Sequence, residues 1–337
     1  MVLKGFAKYY GKRIIWYLVT LVVAVFLNFL LPRLMPGDPV AQLAATAVGS
    51  STDPSAYART VEQYTKEFGL DKSLPEQFFI YVGNLLQGNM GTSLSKYPRT
   101  VTDVLGGSIG WTLALQLPAI AVGWFLGNTL GAIAAYIRKG VDKAVLPIFM
   151  FISNMPSFGL AFLLIYIFHS KLGVAPSGGG FAYDLIPAFT PEFVASVIQH
   201  YQMPFWTMVL IAIGGQAIGM RSMAIYELNA DYVKYSRFLG IRDSKIIMYV
   251  FRNAMLPQIT GLALSFGTSI GGNLVAEIVY SYPGIGQTMF QAIGARDYPL
   301  LSGCTLLITI MVLIANLVVE ILYGIVDPRV KATQMES

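Results

Sequence analysis

Few residues in this chain have chemistry to offer, and they are scattered. The two histidines, His169 and His200, have no partner at metal-ligand spacing. The single cysteine, Cys304, falls in a long apolar run, so neither a disulfide framework nor a cysteine metal site is available. The nearest approach to a nucleotide-binding phosphate loop is GFAKYYGKR at Gly5 to Arg13. It has five residues between its glycines where four are required, and an arginine where a magnesium-binding hydroxyl belongs. No Ser/His/Asp set and no His-Glu-x-x-His stretch is present. The sequence therefore predicts no catalytic residue, no metal and no cofactor, and assigns any ATP hydrolysis to another chain. What remains is polarity inside apolar surroundings. Glu277 and Glu320 fall near the ends of apolar segments. Ser265, Ser269, Gly272 and Ala276 share one helix face, flanked by Thr268 and Asn273. Such a stripe either lets helices pack closely or lines a polar pathway. On the second reading the pathway residues are Ser265, Thr268, Ser269, Asn273 and Glu277.

A second group of side chains suits binding rather than catalysis. Residues 221–252 carry six basic groups, Arg221, Lys234, Arg237, Arg242, Lys245 and Arg252, against three acids, Glu227, Asp231 and Asp243. Tyr232, Tyr235, Phe238 and Leu239 recur at helical spacing and predict a helix with one apolar face against a membrane span. Gly240 is placed to end that helix as a left-handed cap. Asp243 is placed to cap a second helix through Ile246, Ile247 and Val250. At Leu256-Pro257 the chain becomes apolar for a length that crosses a bilayer. A helix, a glycine elbow and a second helix fused to a span either pass movement into the membrane or rest on lipid headgroups.

These stretches sit in a chain built for lipid. It is 55% hydrophobic and 12% charged, with a mean hydropathy of +0.60, against about 25% charged in ordinary soluble domains. The expected fold is an all-α polytopic membrane protein with six transmembrane helices. The spans run from Ile14 to Leu31, Trp111 to Ile137, Val145 to Phe168 (kinked at Pro156), Pro204 to Met220, Pro257 to Tyr280 and Leu300 to Val326. The first is read as uncleaved, because PRLMPGDPV follows it rather than a small-residue cleavage site. The chain divides into 1–35, a small helical domain at 36–107, and a core at 108–337 that contains the loop 221–256. Within 36–107, Asp53-Pro54 opens a helix with a Tyr57, Val61, Tyr64, Phe68 stripe that Gly69 closes. Ser73 and Glu76 form a capping box for a second helix, with Phe78, Phe79, Val82, Leu85 and Leu86 on its stripe and Gly88 at its end. Residues 171–202 read as an outer loop with a short interfacial helix near Pro191. SYPGIGQTMFQAIGARDYP reads as a loop that dips back toward the membrane. Fifteen of the 23 Lys and Arg residues fall on the side that holds both termini and the 221–256 loop. The positive-inside rule therefore places that side in the cytoplasm, and the net charge of +5 calls for no nucleic acid.

The order DYVKYSRFLG, RNAMLP and AEIVYSYPGIG resembles the cytoplasmic loop of ABC-importer permeases, and more narrowly the oligopeptide/dipeptide type. LPRLMPGDPV, FGLDKSLPEQFFIYVGNLLQGNMGTSL and the DPR near the end are similar to the same family, so the resemblance covers nearly the whole chain. It implies that 36–107 lies outside the cytoplasm near a substrate-binding protein. It implies a cytoplasmic coupling helix, between the fourth and fifth spans, that docks in a groove of an ATPase subunit. Asp231, Tyr232, Arg237 and Gly240 fall on its motif positions. The match is to the peptide branch: Lys234-Tyr235-Ser236 stands where the general pattern has Glu-Ala-Ala, and the Leu-Pro pair lies about one turn further from the glycine than in maltose-type permeases. The implied partners are two ATP-binding subunits, a second homologous permease, the binding protein and the lipid bilayer of a bacterial or archaeal cytoplasmic membrane. The implied role is half of a translocation pathway for oligopeptides. Other members carry oligosaccharides or nickel chelates, and nothing in the fifth span chooses among these cargoes. Two readings of another class stay open: a secondary carrier working through Glu277, and a receptor that uses 36–107 to bind a partner without flux.

Overall fold

The computed structural model describes residues 2–34, 39–49, 54–67, 69–137, 141–272 and 274–326. Asp53, Phe68, Arg138, Lys139 and the final DPR stretch lie outside the described residues. The helices follow in order as α1 (Val2–Arg33), α2 (Pro39–Val48), α3 (Pro54–Glu67), α4 (Leu74–Leu86), α5 (Val101–Ile137), α6 (Val141–Asn154), α7 (Ser157–Leu164), α8 (Pro191–Leu228), α9 (Asp231–Phe238), α10 (Asp243–Gly272), α11 (Leu274–Val279), α12 (Ile285–Gly294) and α13 (Tyr298–Val326). A π-helical stretch, Ile165–Lys171, continues α7. Among the described residues the strand-like pairing is one isolated bridge, Thr92 to Thr100. An all-helical chain is what hydrocarbon demands, because a helix satisfies its own backbone polar groups. Among the described residues three helices are long and apolar enough to cross a membrane, within Val101–Ile137, Pro191–Leu228 and Tyr298–Val318. A fourth span is added if the bent pair Val145–Asn154 and Ser157–Lys171 counts as one. Ile14–Leu30 is a shorter apolar stretch inside α1.

The chain folds as two compact units, one built from 1–110 and 284–311, the other from 111–283 and 312–336. In the first, α4 rests on α1. The Phe78 ring meets Phe29 edge-on at 5.2 Å, and the Arg33 guanidinium covers the other ring at 3.7 Å from its centroid. Only part of the predicted α4 stripe is used, and Phe79 and Leu86 point outward. The capping box is not formed. Ser73 is the N-cap but makes no side-chain cap bond, and Glu76 instead pairs with Lys72 at 3.6 Å. Pro75 in the first turn has no N–H, which leaves one orphan donor fewer to cap. The segment 281–299, expected as a loop, holds the helix α12, with Ile285, Thr288 and Ala292 buried. The α13 start is fixed by a buried carboxylate. Asp297 accepts from the Ser93 hydroxyl, the Ser95 N–H at 2.9 Å, the Ser95 hydroxyl at 2.7 Å and the Leu300 N–H at 3.1 Å. Four donors make its burial tolerable.

In the second unit α8 is the hub, packed against α6, α7, α10 and α11. It is longer than the sequence predicts. Thr190 caps it by accepting from the Phe193 N–H, and Pro204 lies inside it, so the short interfacial helix and the fourth span are one element. Its far end absorbs residues 221–228 of the basic segment. The third span departs most from expectation. It is not kinked but broken, with 106° between α6 and the α7 stretch. Pro156 takes an extended conformation as the N-cap of α7, and a proline there ends the preceding helix. The fifth span is described as α10 up to Gly272 and as α11 from Leu274.

Gly123, Gly127 and Gly131 bring α5 backbone-close to α8. A Cβ on Gly123 would lie 2.6 Å from the Ala212 Cβ, one on Gly127 would lie 2.9 Å from the Ile213 carbonyl oxygen, and one on Gly131 would overlap that of Ala217. Gly131→Leu should therefore force these helices apart and lower the melting temperature of the detergent-purified chain by several degrees. Gly215→Ala, where nothing stands within 4 Å, should leave it unchanged or raise it. Equal melting of both variants would show that the close approach contributes nothing.

Candidate functional site

The basic segment folds as three helices meeting at a corner. The end of α8, the eight-residue α9 and the start of α10 enclose a small core of Ala135, Met220, Ala224, Val233, Ile246, Val250 and Ala254. Val233 is the buried residue of α9. Gly240 takes φ +73°, and its N–H and that of Ile241 close the end of α9 on the Arg237 and Ser236 carbonyls at 3.0 and 3.1 Å. The predicted glycine elbow is thus present. Asp243 sits one position later than expected, as the first residue of α10, with the Arg242 carbonyl accepting from the Ile246 N–H.

The face of α9 differs from the sequence reading. Tyr235, Phe238 and Leu239 were expected against a span but are 67%, 86% and 78% exposed. The side turned inward is Val233, with Tyr232 and Ser236 half-buried beside it. An eight-residue helix carries apolar groups on both sides, and spacing alone cannot say which side the protein covers. Arg237, Lys234 and Asp231 are exposed along with the outer aromatics. Lys234 and Asp231 pair at 3.0 Å, an exposed contact of little energetic weight. The Tyr232 hydroxyl turns back and donates to Glu227 at 2.8 Å. Burial and the neighbouring Glu227 carboxylate push the Tyr232 hydroxyl up to about 12, so it stays a protonated donor at neutral pH. Of the four motif positions, Asp231, Arg237 and Gly240 face outward and Tyr232 faces the α8–α10 corner.

The pathway candidates are less gathered. The side chains of Ser265, Thr268 and Ser269, and all of Asn273, lie outside the described residues. Ala276 and Glu277 are fully buried in the second unit. Gln116 of α5 donates to Glu277 at 3.4 Å, and its own amide oxygen is buried without a partner. Gln116 escaped the sequence reading, although a glutamine in the middle of an apolar run was the available signal. The Asp297 cluster escaped it too, because Ser93 and Ser95 are two hundred residues away in the chain. Among the described residues no group of three His, Cys, Asp or Glu is placed to hold a metal.

Comparison with known proteins adds a consistent set of likenesses. Residues 127–332 match the family described as binding-protein-dependent transport system inner membrane component. A peptide permease protein of Brucella suis biovar 1, named as putative, is 32% identical over 97% of this chain and 99% of its own length. The glutathione transport system permease protein GsiC of Pectobacterium atrosepticum is 32% identical, and that of Escherichia coli K12 is 30% identical, each over 96% of this chain and 98% of the relative.

The inward pin of α9 is testable by itself. Val233→Asp buries a carboxylate with no cation among the surrounding core residues, a cost of at least ~3 kcal/mol. Hydrogen exchange of the α9 amides should accelerate about a hundredfold, since ~1.4 kcal/mol is tenfold. Unchanged protection would mean that α9 is not held by this contact.

Proposed function

This chain belongs to the binding-protein-dependent transport system inner membrane components, and from that premise we propose that it passes peptides across the membrane when the exposed face of α9 is moved by an ATP-binding subunit. It is the permease component of an ABC importer, a multi-pass protein of the bacterial inner membrane. It transports rather than catalyses, and its family works with a substrate-binding protein.

The finer reading has six spans: the apolar part of α1, α5, the bent α6–α7 pair, α8, α10 with α11, and α13. Both termini and the 221–256 loop are cytoplasmic, supported by the count of basic residues. The region 36–107 is the extracytoplasmic domain, beside the binding protein. Two ATP-binding chains and a second, homologous permease complete the assembly. Peptides are the cargo, supported by the names of relatives that match this chain end to end. Ser265, Thr268, Ser269, Asn273 and Glu277 line or adjoin the pathway. Asp231, Tyr232, Arg237 and Gly240 serve the ATPase contact, with Tyr232 acting from behind.

The observation that carries this reading is α9 itself. A short helix pinned inward by Val233 presents Tyr235, Phe238 and Leu239 with Arg237 to solvent. Aromatic groups with arginine are the composition of a protein interface core. The nucleotide-driven subunit would press on this face, and the continuous α10 would carry the movement past Pro257 into the membrane.

Two measurements test the proposal. The complex purified gently through a tag on this chain should contain a second permease and two ATP-binding chains by native mass. A lone subunit or a homo-oligomer would point to the carrier or receptor reading. Gly240→Val places a β-branched residue at φ +73°, a conformation such residues avoid. It should leave the chain inserted and assembled while lowering ATP-dependent uptake at least tenfold. Wild-type uptake by that variant would remove the elbow from the mechanism.

A further inference from the structure

Glu227 sits in the last turn of α8, where the carbonyl ends of the helix disfavour a negative charge. Its position is explained by what reaches it from the two neighbouring helices. Its Oε2 accepts from the Tyr232 hydroxyl of α9 at 2.8 Å. The same oxygen lies 3.5 Å from Nδ2 of Asn253 in α10. One carboxylate oxygen thus gathers α8, α9 and α10.

The location along α10 gives this contact its meaning. Asn253 lies ten residues beyond the start of α10, or about 15 Å along the helix, and four residues before Pro257. The covalent route from α9 to α10 runs through Gly240 and enters α10 at its first residue. The polar route through Tyr232, Glu227 and Asn253 enters nearly three turns later, next to the proline where the apolar half begins. Val233 against Ile246, Val250 and Ala254 resists separation of α9 from α10. An apolar contact resists sliding and rotation poorly, whereas a short hydrogen bond such as that from Tyr232 to Glu227 is directional, and the longer approach of Asn253 ties the same carboxylate to α10.

We propose that Glu227 is a positioning residue that clamps α9 to α10 through Tyr232 and Asn253, so that the two helices turn as one body when α9 is moved. The proposal rests on the ABC-permease reading above. It assigns transmission to the clamp, with the glycine elbow supplying only the reversal of chain direction.

The test uses the complex purified through this chain, in lipid nanodiscs, with spin labels on cysteines replacing Lys234 of α9 and Met248 of α10. Both positions are exposed. The distance distribution is read without nucleotide and after trapping with ATP and vanadate. In the otherwise wild-type protein one narrow distribution should appear in both states. Glu227→Ala should broaden it on trapping, with the ATPase rate of the complex within twofold of wild type. Glu227→Gln keeps an oxygen to accept the Tyr232 hydroxyl and should restore the narrow distribution, which a purely electrostatic role would not predict. Tyr232→Phe, which keeps the ring and removes only the donor, should broaden the distribution, which a packing role would not predict. Should Glu227→Ala fail to assemble, Tyr232→Phe removes only the donor and decides the matter by the same readout. A narrow, state-independent distribution in the assembled Glu227→Ala or Tyr232→Phe complex overturns the clamp and leaves the permease reading standing. A purified complex without ATP-binding chains overturns that reading itself, which is a separate failure.

Discussion

The close approach of α5 to α8 is the contact on which the second unit depends. Three glycines one turn apart on α5 leave no side chain between the two backbones, so dispersion and weak Cα–H contacts act over the full length of the seam. In lipid, apolar side chains gain little by leaving neighbours as apolar as themselves. Fit, rather than hydrophobicity, then decides which helices stay together. Once α8 is fixed against α5, the positions of α6, α7, α10 and α11 follow, because each packs on α8. The buried residues Val209, Ile213 and Ala217 of α8 join Leu115, Ala119, Ala276 and Tyr280 in one cluster around this seam.

Polar groups are admitted to that environment only where they have work to do or a partner to meet. Thr207 of α8 shares a hydrogen bond at 2.8 Å with the Tyr280 hydroxyl, which also reaches the Ala161 carbonyl at 3.3 Å. Trp124 donates to the Gln258 carbonyl at 3.0 Å. These bonds join α5, α7, α8, α10 and the end of α11 without any ion. The Glu277 and Gln116 pair is the exception, since a carboxyl and a primary amide meet there with an amide oxygen left over. A site of this kind is expensive in lipid.

How much could be read beforehand depended on the range of the interaction. Helix existence and composition were local matters, and α1, α5 and α13 contain the apolar runs the sequence predicts, although α1 begins at Val2 and α5 at Val101, ahead of the predicted Ile14 and Trp111. Gly240 was legible because a left-handed residue after an amphipathic run has few alternatives to glycine, and Gly69 and Gly88 close α3 and α4 in the same conformation. The face of α9 was not legible: Phe238 and Leu239 are as apolar as Val233, and only the surrounding helices choose between them. Pro156 announced a disturbance, but a proline in a span reads alike for a kink and for a 106° break. Glu227 with Asn253, and Asp297 with Ser93, are pairings at long sequence separation that a single sequence does not encode visibly. Ser73 and Glu76 show the converse: a local signature was present and the structure used Lys72 for Glu76 instead.

The length of α8 sets a gearing ratio. Its 38 residues make a rod of about 57 Å, nearly twice the ~30 Å of a bilayer's hydrocarbon. About 27 Å of it therefore lies beyond the hydrocarbon, shared between its two ends, one near Thr190 and the other at Glu227. Tilting a rod of that length by ~5° about its middle displaces each end by about 2.5 Å in opposite senses. A displacement of that size is comparable to a hydrogen-bond length, and it carries whatever is held to either end along with it while the glycine seam near the middle scarcely moves. The same helix can therefore be a still axle at its middle and a moving pointer at its ends.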